Sequence, residues 1–129
     1  MQKIILDTNF LLIPGTFKLD IFEEIKKIAS FNYTLFIVDK TVDELNSIIN
    51  EKNTKSKDKM NAKIALQLIT NKKIQKIHSK DHYVDNIILK KADKDTIVAT
   101  SDRDLKRRLR KKGIRIINLR KKQYLTLEQ

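Results

Sequence analysis

Thr96-Ile97-Val98-Ala99-Thr100-Ser101-Asp102-Arg103-Asp104-Leu105 decides how this chain folds. Its first half is a short, β-branched, apolar run. A strand of that kind is buried on both faces, as in a parallel sheet. Its second half opens a charged helix that runs to Lys112 and stops at Gly113, a residue suited to ending a helix. An acid, Asp102, therefore stands where a buried strand hands over to a helix. In parallel α/β sheets, ligands bind beyond that end of the strands.

The same arrangement recurs on both sides. Lys3-Ile4-Ile5-Leu6 is a buried strand and Asp7 follows it. Thr34–Val38 reads as a second strand. Thr41-Val42-Asp43-Glu44 matches a capping box and opens a helix through Leu45, Ile48 and Ile49. Between these strands Thr16 is placed to cap a helix over Phe17–Ala29, with Phe22, Ile25 and Ala29 on its apolar stripe. Residues Asn50–Lys59 read as a polar loop or a poorly packed helix start. Met60, Ile64, Ala65, Leu68 and Ile69 then form a helical stripe. Lys73–Ile77 is a third strand, Asp85–Ala92 a short helix, and Arg115–Leu119 a fifth strand. Gln123–Leu127 is one more strand or an ordered tail. Strands alternating with helices imply an α/β fold, with a parallel sheet covered on both faces. The 129 residues are expected to form one domain, 1–129.

Charge is distributed unevenly. The formal net charge is +12. Residues 103–122 hold eleven Lys or Arg against Asp104 alone, a net +10, which leaves +2 for the rest of the chain. Such a block within folded structure marks a surface for a polyanion; its plainer reading is a solvated helix face. With 40% hydrophobic and 34% charged residues, the composition is that of a globular protein. No apolar run approaches the roughly 20 residues of a membrane helix, so no membrane partner is expected. The start of the chain has neither the length nor the pattern of a signal peptide. There is no cysteine, which removes thiol catalysis and thiolate metal sites and fits a reducing cytoplasm.

Asp7, Glu44, Asp85 and Asp102 each sit just past a strand or at the start of the segment after one, so all four can meet at one sheet edge. Four carboxylates gathered there would repel, and without a cation at least one would keep a proton near neutral pH. Oxygen-only ligands select hard ions, Mg²⁺ or Mn²⁺. Two such ions about 4 Å apart activate water and stabilise the leaving oxygen of a phosphodiester. Each acid also has a purely local reading: an Asx turn at Asp7, the capping box at Glu44, and helix caps at Asp85 and Asp102.

Leu6-Asp7-Thr8-Asn9-Phe10-Leu11-Leu12, Val42-Asp43-Glu44-Leu45, Val84-Asp85-Asn86-Ile87-Ile88 and Ile97–Leu105 resemble, in order and spacing, the four motifs of PIN-domain nucleases. The stretch from Val98 to Arg110 and on to Tyr124 is most similar to the branch that includes the small-subunit-processome nuclease and its archaeal relatives. The resemblance implies a three-layer α/β/α fold and cleavage of single-stranded RNA dependent on Mg²⁺ or Mn²⁺, leaving a 5′-phosphate and a 3′-hydroxyl. It implies that Asp7, Glu44, Asp85 and Asp102 are the catalytic metal ligands. Asn9 and Thr100 match supporting positions, and Asp104 an acidic position of variable role. Where the third motif often carries a second acid this chain has Asn86, which cannot replace the charge. Arg103, Lys106, Arg107, Arg110 and Lys111 are the expected RNA contacts.

Two biological roles follow from the resemblance. One is maturation of a ribosomal RNA precursor alongside ribosome-assembly factors. The other is the toxin of a toxin–antitoxin pair, as in the VapC group, with a protein antitoxin as partner. Self-association into a homodimer is left open. Outside the nuclease class stand a non-catalytic RNA-binding module, which the retained acids disfavour, and a receiver-type phosphoacceptor, which Asp7-Thr8-Asn9 does not fit. His78 and His82 are four residues apart but lie in a loop-like segment, so a metal role there is disfavoured. The five lysines of Lys52–Lys63 read as a solvated loop in preference to an RNA contact.

Overall fold

The computed structural model describes residues 1–128. Five strands are parallel: β1 (Gln2–Leu6), β2 (Tyr33–Val38), β3 (Gln75–Ile77), β4 (Thr96–Ala99) and β5 (Arg115–Arg120). A sixth, β6 (Tyr124–Glu128), returns antiparallel along β5. Among the described residues they form one sheet in the order β3-β2-β1-β4-β5-β6. The strand order reverses between β1 and β4, which makes the gap beyond their carboxyl ends the switch point where such sheets bind ligands.

The strands read as unbroken apolar runs because both faces are covered. Ile4, Leu6, Ile37, Ile97, Ala99 and Ile117 belong to one core. Ile5, Val38, Val98 and Ile116 alternate with them and belong to the other. On the first face lie α1 (Thr8–Leu11), α2 (Ile13–Phe17), α3 (Ile21–Ile28), α4 (Asp39–Asn50) and α5 (Ser56–Asn71). On the second lie α6 (Val84–Lys91) and α7 (Arg103–Lys112). The result is the expected three-layer α/β/α arrangement. Burying each Ile or Leu of these cores contributes about 1.5–3 kcal/mol. Among the described residues no helix is long and apolar enough to cross a membrane.

Several boundaries differ from expectation, each for a local reason. The single helix over Phe17–Ala29 is broken. α2 ends at Phe17, Lys18 takes a left-handed conformation (φ 54°), and Asp20 caps α3 by accepting from Phe22 N and Glu23 N. Thr41 and Glu44 do not form a capping box. α4 begins at Asp39, directly after β2, and Thr41 is already inside its first turn and fully buried. α5 starts at Ser56, earlier than Met60. Met60 itself is exposed, while Ala62, Ala65 and Ile69 carry the buried stripe.

Left-handed backbone is borne here by lysine. Lys18, Lys73, Lys121 and Lys122 all have positive φ. Each costs about 1–2 kcal/mol relative to glycine in that conformation. Lys121 and Lys122 (φ 53° and 58°) are the central pair of the β5–β6 turn, which Gln123 N closes by donating to Arg120 O at 3.0 Å. Two consecutive left-handed residues give the twist a hairpin needs.

Candidate active site

The carboxyl ends of β1 and β4 are stitched together by neutral side chains. Asp7 N donates to Ala99 O at 2.9 Å, which carries the β1–β4 ladder up to the site. Asp7 is the N-cap of α1: its Oδ1 accepts from Thr8 N at 2.9 Å. Its Oδ2 accepts from Thr100 Oγ1 at 2.7 Å and from Asn9 Nδ2 at 3.1 Å. Asn9 in turn accepts from Ser101 N at 3.0 Å, and Thr100 Oγ1 accepts from Asp102 N at 3.1 Å. A fixed frame therefore holds Asp7 and positions the backbone of Asp102. Asp102 is the N-cap of α7 and accepts from Leu105 N at 3.0 Å.

The other two acids come from the flanking helices. Glu44 lies in α4 and accepts from Thr8 Oγ1, which also stands 3.3 Å from Thr41 Oγ1. Asp85 lies in the first turn of α6, where its Oδ1 accepts from Asn86 N at 2.8 Å. Its Oδ2 is 3.7 Å from the Arg108 guanidinium. Asp7, Glu44, Asp85 and Asp102 line one open cavity of about 380 Å³ together with Thr8, Asn9, Leu12, Tyr83 and Val84, and no basic residue is in that lining.

The electrostatics are uneven across the four. Asp7 is only 7% exposed, and burial pushes its carboxyl above the ordinary aspartate range. The hydrogen bonds from Thr100 and Thr8 pull it back, and the charges of Glu44 and Asp102 push it up again. Mutual repulsion thus contributes as expected, but desolvation is the larger cause. Among the described residues no group of three or more His, Asp or Glu side chains is arranged to hold a metal ion directly. Each carboxylate is turned toward a local partner instead. The donor set still suits a hard divalent ion: it is all oxygen, and among the described residues only Asp85 has a basic side chain, Arg108, facing it. Such an ion also keeps several waters, so one or two direct ligands with the others reaching through water is a sufficient shell.

The remaining expected residues are spread more widely. Asp104 is outside the cavity lining. It is exposed and paired with Arg107 and Arg108 on its own helix, and the Arg107 contact holds its carboxyl below the usual aspartate value. Arg103 and Arg107 are exposed near the start of α7, with Lys106 half-buried between them. Because α7 runs back from the site, Arg110 and Lys111 lie about 12–14 Å along its axis from Asp102. Arg110 is bound there by Glu128 at 2.7 and 2.9 Å. His78 lies 3.6 Å from Asp39 Oδ2 and His82 is exposed; neither joins the cavity.

Three contributors escape a reading of acidic motifs. Thr8 orients Glu44, Thr41 supports Thr8, and Arg108 faces Asp85. Thr8 sits inside the Asp7-Thr8-Asn9 signal. Arg108 was hidden among its basic neighbours, and only the packing of α7 beside α6 singles it out.

A mostly parallel sheet with a carboxylate-lined cavity at its switch point defines an α/β protein with a ligand site there, and the comparisons with known proteins narrow it. Residues 4–122 match the family described as PIN like domain. The chain belongs to that family, and so to the PIN-domain nucleases. It is 30% identical over 129 residues to "Ribonuclease VapC4" of Methanocaldococcus jannaschii, covering 98% of this chain and 97% of that protein. Among solved structures it resembles the PIN domain endonuclease Utp24, with a TM-score of 0.79 at 25% identity, over 98% of this chain and 90% of the other. It also resembles a domain of a functionally unknown protein from the same archaeon. There the TM-score is 0.59 at 18% identity, with 93% and 92% covered, a likeness of fold alone.

Proposed function

We propose that this protein, as a single domain in the cytoplasm, is an endoribonuclease that hydrolyses single-stranded RNA with Mg²⁺ or Mn²⁺. The observation that carries the reading is the convergence of four carboxylates, from four separate chain segments, on one cavity without a basic residue in its lining. Asp7 and Asp102 are assigned as direct ligands: they follow the adjacent strands β1 and β4, and Thr100 joins the Asp7 carboxylate to the Asp102 backbone. Glu44 and Asp85 complete the shell through water. A bound divalent ion would activate the attacking water and stabilise the leaving 3′-oxygen. Thr100, Thr8 and Asn9 keep the Asp7 oxygens aimed, and partners of this kind are worth about 10–100-fold in metal affinity or activity. Arg103, Lys106 and Arg107 hold the RNA backbone beside the cavity; Arg110, bound by Glu128, and Lys111 lie further along α7 and do not join them.

Cleavage of an unstructured RNA in Mn²⁺, wild type against Asp102→Asn, tests the reading. Loss of more than about 100-fold is expected, beyond what an outer partner gives, with 5′-phosphate products from the wild type. Equal rates would remove the mechanism.

Between the two biological roles, similarity over the full length of Ribonuclease VapC4 favours a VapC-like ribonuclease restrained by a protein antitoxin. The competing role in ribosomal RNA maturation draws on the fourth motif. Arrest of growth on expression, relieved by a small co-transcribed partner, supports the first. Accumulation of unprocessed ribosomal RNA on depletion supports the second.

A further inference from the structure

The run of basic residues from Arg103 to Lys122 is continuous in sequence and divided in space. α7 descends from the cavity edge, and its last turn, with Arg110, Lys111 and Lys112, lies at the opposite end of the strands. There Glu128 engages Arg110, and Lys112 donates to Leu89 O. β5 then climbs back. Its pairing with β4 puts Ile117 beside Ala99, the last residue of that strand. Arg120 is three residues further on, so the β5–β6 turn rises about 10 Å beyond the end of β4. It stands on the cavity side of the sheet.

That turn is cationic and held in place. Lys121 and Lys122 occupy its two left-handed positions, and both are exposed. Lys122 sits over the ring of Phe17, 5.5 Å from its centroid, which ties the turn to α2. α2 follows directly on Leu12, which lines the cavity. Lys106 is half-buried on α7 between Arg103 and Arg110 and feels the charge of Arg120 from the turn; burial lowers its pKa, Arg110 and Arg120 lower it further, and Glu128 partly offsets them. Glu128 answers Arg110, and Arg120, Lys121 and Lys122 remain exposed at the turn.

We infer that single-stranded RNA enters the cavity along a track built from the start of α7 (Arg103, Lys106) and the β5–β6 turn (Arg120, Lys121, Lys122), and not along the length of α7. The inference rests on the nuclease reading and adds the direction from which the backbone arrives. It also gives a reason for lysine in the strained turn positions: their side chains are the contacts.

The test compares two variants of equal charge, Lys121→Asn/Lys122→Asn and Lys111→Gln/Lys112→Gln. Asparagine tolerates left-handed backbone, so the turn is kept; Lys121→Arg/Lys122→Arg checks that charge is what matters. Binding of a fluorescent 20-nucleotide oligo(U) RNA is followed by anisotropy in EDTA between about 50 and 200 mM salt. We expect the turn variant to bind at least ten-fold more weakly at the lower salt. Its log–log salt slope should be shallower by about 1.4, the value for two lost contacts on a single strand. The Lys111/Lys112 variant should change by less than two-fold, and the arginine variant should bind like wild type. Equal losses in both pairs, or an unaffected turn variant, would overturn the track and leave the nuclease standing. Tight binding that follows this pattern, with no cleavage when Mn²⁺ is added, would sink the nuclease reading and leave the track.

Discussion

Arginines at one end of the parallel strands and the four acids at the other are held in different ways. At the amino end two arginines are already engaged: Arg110 is bound by Glu128, and Arg115 reaches Gln2 and lies over Phe31. At the carboxyl end the acids are held by neutral donors, Thr100, Asn9 and Thr8, which fix their geometry without cancelling their charge. An ion pair is a finished interaction. A carboxylate framed by hydroxyls and amides still attracts a cation, and four acids share such a cavity at the carboxyl end; that is why the proposed ion is placed there.

If the neutral frame is what matters, breaking it should have a larger effect than removing a charged neighbour. Thr100→Val removes the donor to Asp7 and the acceptor for Asp102 N. Cleavage should fall about 10–100-fold. The pH profile should move as well. The Thr100 bond favours the ionised form of Asp7, whose pKa burial has already raised from 3.8. Losing it raises that pKa further, and the acid limb of activity should shift to higher pH. An unmoved limb would show that Asp7 is not the group titrating.

A smaller effect should come from Arg108, the basic side chain that faces one of the four acids. Arg108 lies 3.7 Å from Asp85 and 3.6 Å from Asp104, so it partly supplies a charge that a divalent ion would otherwise provide. Both partners are well exposed, which limits the pair to roughly 0.2–1 kcal/mol. Arg108→Gln should therefore bind Mn²⁺ more tightly by up to about five-fold, as measured by the signal of free Mn²⁺ in electron paramagnetic resonance. Arg107→Gln contacts Asp104 but not Asp85 and should change less. Equal tightening in the two would reduce Arg108 to background field.

What could be read from the sequence follows the same division. Strands β1, β2, β4 and β5 are legible because burial on both faces demands unbroken apolar runs, and Gly113 and Asp102 mark the two ends of α7 by their capping chemistry. The four acids were visible as punctuation after strands. Their partners were less so. Thr41 and Glu44 have the spacing of a capping box, yet the chain enters α4 straight from Val38, and Thr41 turns inward to support Thr8. The break between α2 and α3 was signalled by Asp20 ahead of Glu23, a cap that the apolar stripe around it obscured. Pairings across elements, such as Arg108 with Asp85 or Arg110 with Glu128, depend on how α7 lies against α6 and β6. Local spacing carries no trace of that.

The account stands or falls on whether the carboxyl end binds a divalent ion. A crystal soaked in Mn²⁺ and measured at the manganese absorption edge answers this directly. An anomalous peak bounded by Asp7 and Asp102, with Glu44 and Asp85 within reach through water, is the predicted result. A protein that cleaves RNA while its anomalous density lies elsewhere, with this cavity empty, would contradict it.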